Sequence, residues 1–194
     1  MKSICVFCGS STGSKAEYTA AAVSLGAELA QRKIRLVYGG GSVGLMGSLA
    51  QSVLDQGGQV LGIIPEAIHK KVAPLQGGQI IVVKDMHSRK MKMHEQSDGF
   101  IALPGGIGTY EELLEAYTWS QLGFHEKPVA ILNTLGYYNS LIEQIEHSVR
   151  EGFLKQGHKE SLLIENDPQH LLEAMESHEH QAVDKFTDRF PGGN

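Results

Sequence analysis

The 194-residue chain has little of what marks the more specialised protein classes. It carries two cysteines, one tryptophan and no apolar run near the roughly 20 residues that a membrane-spanning helix needs. Two cysteines cannot build a disulfide framework. Cys5 and Cys8 have C-x-x-C spacing, which at a helix start would suit a redox or metal motif. Here they fall in Ile4-Cys5-Val6-Phe7-Cys8, an apolar run that reads as a strand. Residues three apart on a strand point to opposite faces, so both are expected to be plain buried thiols, which fits a reducing compartment. An excess of positive charge is lacking too. A net charge of −5 argues against general nucleic-acid binding, which needs a basic surface. A single small phosphorylated ligand is still allowed, because a local cluster of donors can hold one phosphate on an acidic protein. No charged region followed by an apolar stretch and a cleavage site opens the chain, so no signal peptide and a cytoplasmic location are expected. No internal repeat is visible.

What the chain does have is alternation. Strand-like runs at 3–8, 35–38, 59–64, 79–83, 99–103, 129–132 and 162–164 interleave with helix-like segments at 15–32, 45–56, 88–96, 109–122, 137–151 and 168–177. The strands are short and apolar, as expected when both faces of a sheet are covered. The pattern predicts an α/β fold: a three-layer, doubly wound parallel sheet in a single domain over 1–178, followed by a polar tail over 179–194. His178 and His180, on either side of that boundary, read as solvated residues. In such folds ligands bind beyond the carboxyl ends of the strands, so the loops after the strands are the places to look.

Three of those loops are rich in small residues. The first, Gly9-Ser10-Ser11-Thr12-Gly13, lets a ligand approach the backbone closely. The second, Gly39-Gly40-Gly41-Ser42-Val43-Gly44, has the G-x-G-x-x-G form of a dinucleotide fingerprint. It follows the second strand rather than the first, and the next strand ends in Pro65-Glu66, a poor match for the acidic ribose partner. We read it as contributing to a nucleotide pocket, with close helix–strand packing as the plain alternative. The third, Leu103-Pro104-Gly105-Gly106-Ile107-Gly108-Thr109, leaves a strand and opens a helix. Its glycines free several backbone N–H groups beside the positive end of a helix dipole, and a phosphate is the natural occupant.

Two acids follow it. Thr109-x-x-Glu112 has the spacing of a capping box, so Glu112 can be read as a cap or as a catalytic carboxylate, and spacing alone leaves both open. Glu111 and Glu112 point about 100° apart, so at most one faces a given ligand edge. Glu115 lies on the same general face as Glu112. In Met86-His87-Ser88-Arg89-Lys90, the basic residues read first as a solvated face and His87 as a cap for the helix start. Arg89 is nevertheless close enough to the strand ends to hold ribose or phosphate oxygens with its planar fork.

These segments together resemble the LONELY GUY family of cytokinin riboside 5′-monophosphate phosphoribohydrolases. The family's P-G-G-x-G-T-x-x-E pattern matches residues 104–112, and its M-H-x-R-K stretch matches Met86-His87-Ser88-Arg89-Lys90. The likeness runs on through Cys8-Gly9-Ser10-Ser11, Val37-Tyr38-Gly39-Gly40-Gly41, Val43-Gly44-Leu45-Met46-Gly47 and Thr118-Trp119-Ser120-Gln121-Leu122-Gly123, covering about residues 4–153. It implies a Rossmann-like fold, a homodimer or an assembly of dimers, and hydrolysis of a nucleoside 5′-monophosphate to free base and ribose 5-phosphate. Residue by residue it implies Glu112 and Arg89 as catalytic. The substrate-binding candidates are Lys90, Gly105, Gly106, Gly108, Thr109 and Glu111, together with Gly9, Ser10, Gly40, Gly41 and Thr118. No cofactor and no metal are expected, and the lysine decarboxylase label often given to such proteins has no pyridoxal phosphate signature behind it here. One departure stands out: Lys71 occupies a place where many members have glutamate, which bears on base recognition. The rival readings are a nucleotide- or cofactor-binding module without hydrolysis and an NAD(P)-dependent oxidoreductase.

Overall fold

A computed structural model of the chain describes residues 1–72 and 75–179. Seven strands form one parallel sheet: β1 (Ser3–Phe7), β2 (Arg35–Tyr38), β3 (Val60–Pro65), β4 (Gln79–Val83), β5 (Phe100–Ala102), β6 (Val129–Leu132) and β7 (Leu162–Glu165). Their spatial order is β4-β3-β2-β1-β5-β6-β7. Chain order therefore reverses between β1 and β5, and the connections leave these neighbours on opposite sides of the sheet. A crevice opens where they diverge.

Among the described residues, eight helices connect and cover the strands: α1 (Ala16–Gln31), α2 (Gly44–Asp55), α3 (Glu66–His69), α4 (Met86–Glu95), α5 (Ile107–Gln121), α6 (Asn139–Arg150), α7 (Gln156–Glu160) and α8 (Pro168–Glu176). The sheet separates two apolar layers. Ile4, Val6 and Cys8 face α1, α2 and α8, packing with Leu25, Leu49 and Leu171. Cys5 and Phe7 face α4, α5 and α6, packing with Met93, Leu113 and Ile145. The two cysteines thus lie on opposite faces, free and buried, as the strand period requires. Every β1 residue is buried, and each large side chain taken fully out of water contributes about 1.5–3 kcal/mol.

Local chemistry sets the ends of the helices. The Asp85 carboxylate accepts the Ser88 N–H at the start of α4, and Asp167 does the same for His170 ahead of Pro168 on α8. The cap of α4 is therefore Asp85 rather than His87. At the end of α2, Gly58 N–H reaches the Val53 carbonyl and Gly57 N–H that of Leu54, closing a Schellman turn. Several boundaries differ from the sequence reading. α4 starts at Met86 and α5 at Ile107, each two residues earlier than expected. The expected helix over 137–151 begins only at Asn139, after a 3₁₀ turn at Thr134–Gly136 in which Leu135 is left-handed at φ 54°. That conformation costs a leucine about 1–2 kcal/mol. The short α3 and α7 were not anticipated. The expected tail, with His180, lies from residue 180 onward outside the described residues.

Candidate active site

A cavity of about 360 Å³ fills the crevice between β1 and β5. Its floor is the end of β1 with Cys8, Gly9 and Ser10; its walls are Gly39 and Met46 on one side and Arg89 and Met93 of α4 on another. Residues 106–109 and Glu112, from the first turns of α5, close it. A second cavity of about 300 Å³ adjoins it across Gly9, Ser10 and Gly106, and is lined further by Tyr18, Gly105 and Tyr137.

The early start of α5 decides one open question. With Gly106 at the N-cap and no side-chain cap bond, Thr109 lies inside the first turn and is buried, and the capping box does not form. The amides of the first turn of α5 have no carbonyl within the helix to bond to. Gly106 and Gly108 leave open space where a Cβ would stand. Gly105 is under the opposite constraint: a Cβ there would lie 2.1 Å from the Thr109 hydroxyl oxygen.

Glu112, released from capping, turns toward Arg89. The Arg89 Nη1 lies 3.3 Å from Glu112 Oε1, with the two side chains only 12% and 11% exposed. The guanidinium is held on two further sides. Its Nε donates to the Ile63 carbonyl at 3.1 Å, and its Nη2 occupies the space that a side chain at Gly39 would fill, 2.0 Å from the ideal Cβ position. Burial pushes the Glu112 carboxyl above its ordinary value, and the positive charge of Arg89 opposes that shift. The Cys8 thiol borders the same cavity. Burial first, and then the Glu112 charge, push its ionisation well upward, so it stays a neutral thiol and is no nucleophile.

Of the residues singled out from sequence, the fold brings Gly9, Ser10, Arg89, Gly106, Gly108, Thr109 and Glu112 to the larger cavity, with Gly105 on the adjoining one. It does not bring Lys90 there. The Lys90 Nζ lies 2.6 Å from Glu111 and 2.9 Å from Glu115, outside the lining. Gly40 backs onto Ile64 and Gly41 onto Met46, where the loop packs against its neighbours; of the three consecutive glycines it is Gly39 that borders the cavity. Thr118 is exposed, about three turns along α5, and Lys71 is exposed in the turn after α3. The last glycine of the fingerprint-like loop serves packing: Gly44 has φ +63° and no room for a Cβ against the Ser10 carbonyl. Gly39, Met46, Met93 and Ile107 were missed as lining residues. The one available signal was the place of Gly39 directly after a strand.

A family profile described as "Possible lysine decarboxylase" matches residues 46–175. Two cytokinin riboside 5′-monophosphate phosphoribohydrolases of Arabidopsis thaliana are similar over nearly the whole chain. One is 51% identical, covering 90% of this chain and 82% of the relative; the other is 48% identical, covering 97% and 87%. The chain belongs to the LONELY GUY family. The fold is more widespread than the family: the molybdenum cofactor binding protein of Rippkaea orientalis superposes with a TM-score of 0.69 at 21% identity, covering 91% of this chain and 97% of that one. At that identity the likeness concerns the fold alone. No helix of the described residues is long and apolar enough to cross a membrane.

Proposed function

We infer that this protein hydrolyses the N-glycosidic bond of a purine riboside 5′-monophosphate, a cytokinin riboside or adenosine monophosphate, releasing free base and ribose 5-phosphate. The observation that carries this reading is the meeting, in one crevice, of unbonded amides at the start of α5 with a carboxylate one turn further along the same helix. The amides of residues 106–109 receive the 5′-phosphate, where helix dipole and N–H groups favour an anion. Phosphate anchoring then holds C1′ beside Glu112, so that binding energy remote from the reacting bond orients it.

Breaking the C1′–N bond sends its electron pair to the base and leaves positive charge on the sugar. The Glu112 carboxylate stabilises that charge and takes a proton from the attacking water, whose oxygen bonds to C1′; the departing base gains a proton. Arg89 has a positioning role: braced by the Ile63 carbonyl, it fixes the carboxylate and keeps it ionised in a buried site. Its remaining N–H groups are available to ribose oxygens. The decarboxylase wording of the family description is not supported by the lining, because a pyridoxal phosphate enzyme needs a lysine amine at the cofactor and none of the residues around the larger cavity is lysine.

We place the protein in the cytoplasm as a homodimer or an assembly of dimers. Exposed Met86 and Met91 on α4 and Ile107 and Leu114 on α5 support a contact with a second copy near the crevice. The activity is tested by incubating pure protein with AMP or adenosine and separating the products by chromatography. AMP is expected to yield adenine and ribose 5-phosphate far faster than adenosine yields adenine. Equal rates would refute the phosphate anchor, and intact AMP would leave a binding module.

A further inference from the structure

The backbone of the phosphate loop is latched from behind. Three successive carbonyls each accept a hydrogen bond from outside the loop: Leu103 from the Tyr138 hydroxyl at 2.7 Å, Pro104 from the Gly9 N–H at 3.0 Å, and Gly105 from the Tyr137 hydroxyl at 2.5 Å. A trans peptide points its C=O and N–H in opposite directions, and no cis bond occurs among the described residues. Whatever holds the Gly105 carbonyl therefore also aims the Gly106 N–H. That amide therefore points away from the Tyr137 hydroxyl that holds the carbonyl.

Tyr137 has one hydroxyl proton and gives it to Gly105. The Tyr110 hydroxyl, 2.9 Å from the Tyr137 oxygen, must then be the donor of that bond, and a chain of two hydrogen bonds runs from α5 through Tyr137 to the loop. Edge-on contacts with Tyr18 and Tyr138, at ring-centre distances of 5.8 and 5.1 Å, fix the plane of the Tyr137 ring. The turn that delivers the two phenols is itself pinned. Asn133 accepts the Tyr138 N–H at 2.8 Å and donates to Asn139 at 2.9 Å, across Gly136 and the strained, left-handed Leu135. Strained backbone persists where its surroundings over-determine it, and here what it places is a pair of adjacent hydroxyls against one loop.

We propose that Tyr137 is a positioning residue for phosphate recognition, its hydroxyl fixing the Gly105 carbonyl and thereby directing the Gly106 amide at the substrate's phosphate. The proposal rests on the reading of residues 106–109 as the phosphate anchor. Tyr137 acts here through the Gly105 carbonyl, so its effect falls on ligands that carry a phosphate.

The test compares the wild type with Tyr137→Phe and Tyr110→Phe, using AMP as substrate and inorganic phosphate and free adenine as inhibitors. Phenylalanine keeps the ring packing and removes only the hydroxyl. Tyr137→Phe is expected to raise KM for AMP and Ki for inorganic phosphate together, by about three- to tenfold, the worth of one hydrogen bond. Its kcat should stay within about twofold and its Ki for adenine should not change. Tyr110→Phe leaves the bond to Gly105 in place and should move both phosphate-dependent constants by less than about twofold. An unchanged phosphate Ki in Tyr137→Phe, an equal rise in the adenine Ki, or an equal response in Tyr110→Phe would overturn the latch. Wild-type enzyme that cleaves AMP as fast as adenosine and ignores phosphate would overturn the anchor and the latch with it. Cleavage of AMP that depends on phosphate, without the Tyr137 effect, removes the latch alone.

Discussion

Arg89 and Lys90 are consecutive on α4, and Glu111 and Glu112 are consecutive on α5, yet the two cation–carboxylate pairs they form live in different surroundings. Arg89 and Glu112 face each other at the wall of the crevice, nearly out of solvent, with the guanidinium braced on the end of β3. Lys90 reaches Glu111 and Glu115 outside the cavity lining, and half of the Glu111 side chain is exposed. One residue along a helix is a turn of about 100°, enough to carry a charge from the solvent side to the site. A surface pair is worth about 0.2–1 kcal/mol, whereas removing one partner of a buried pair costs about 3–5 kcal/mol because the other is left desolvated. The comparison teaches that adjacent charges of one sign divide between fold and chemistry according to the elements packed behind them.

The contrast breaks most sharply at Glu112. Glu112→Gln keeps the shape and removes the charge, and turnover of AMP should fall by roughly 10²–10⁴-fold with nucleotide binding still measurable by calorimetry. Near-normal turnover would move the chemistry elsewhere. Arg89→Met comes next, with a loss of about 10²-fold in kcat/KM, the usual scale for deleting one aligned electrostatic partner. It also has a signature in pH. Burial raises the pKa of Glu112, so a reaction that needs the carboxylate loses rate as pH falls through that raised value. The Arg89 charge is the largest influence opposing the rise, so the acid limb of the Arg89→Met profile should shift to higher pH than in the wild type. A limb that stays in place would mean that Arg89 does not set the ionisation of Glu112. Lys90→Met should give the smallest kinetic effect: kcat/KM within about twofold, with a stability loss of about 1–2 kcal/mol by denaturant melt, between the exposed and the buried cases. A kinetic loss as large as that of Arg89→Met would erase the distinction between the pairs.

Much of this arrangement was legible in the sequence. All seven strands and their parallel arrangement followed from short apolar runs separated by helical periods, and the glycine loop ahead of α5 marked the crevice. Glu112 was ambiguous because Thr109-x-x-Glu112 has the capping spacing. Only the true start of the helix, set by the loop's geometry two residues upstream, shows that the acid is free. Gly40 and Gly41 illustrate another limit of pattern. A run of three glycines says that something comes close, but not whether it is a ligand, a neighbouring strand or an arginine. The resemblance implied Lys90 and Glu111 as substrate-binding residues, and their own pairing is a long-range contact between helices that no local spacing reveals. The sequence reading began α6 at Tyr137, two residues early, because nothing in the local residues signals the turn with a left-handed leucine that precedes it.

The reversal of strand order between β1 and β5 has a consequence of its own. The divergence of the two connections is a matter of wiring, so the gap between them persists whatever side chains happen to border it. A protein with barely a fifth of its residues in common folds over the same path. Substitutions along the rim can therefore retune the occupant without asking the scaffold to refold, and the few positions that must be held fixed are those that brace a charge or steer an amide.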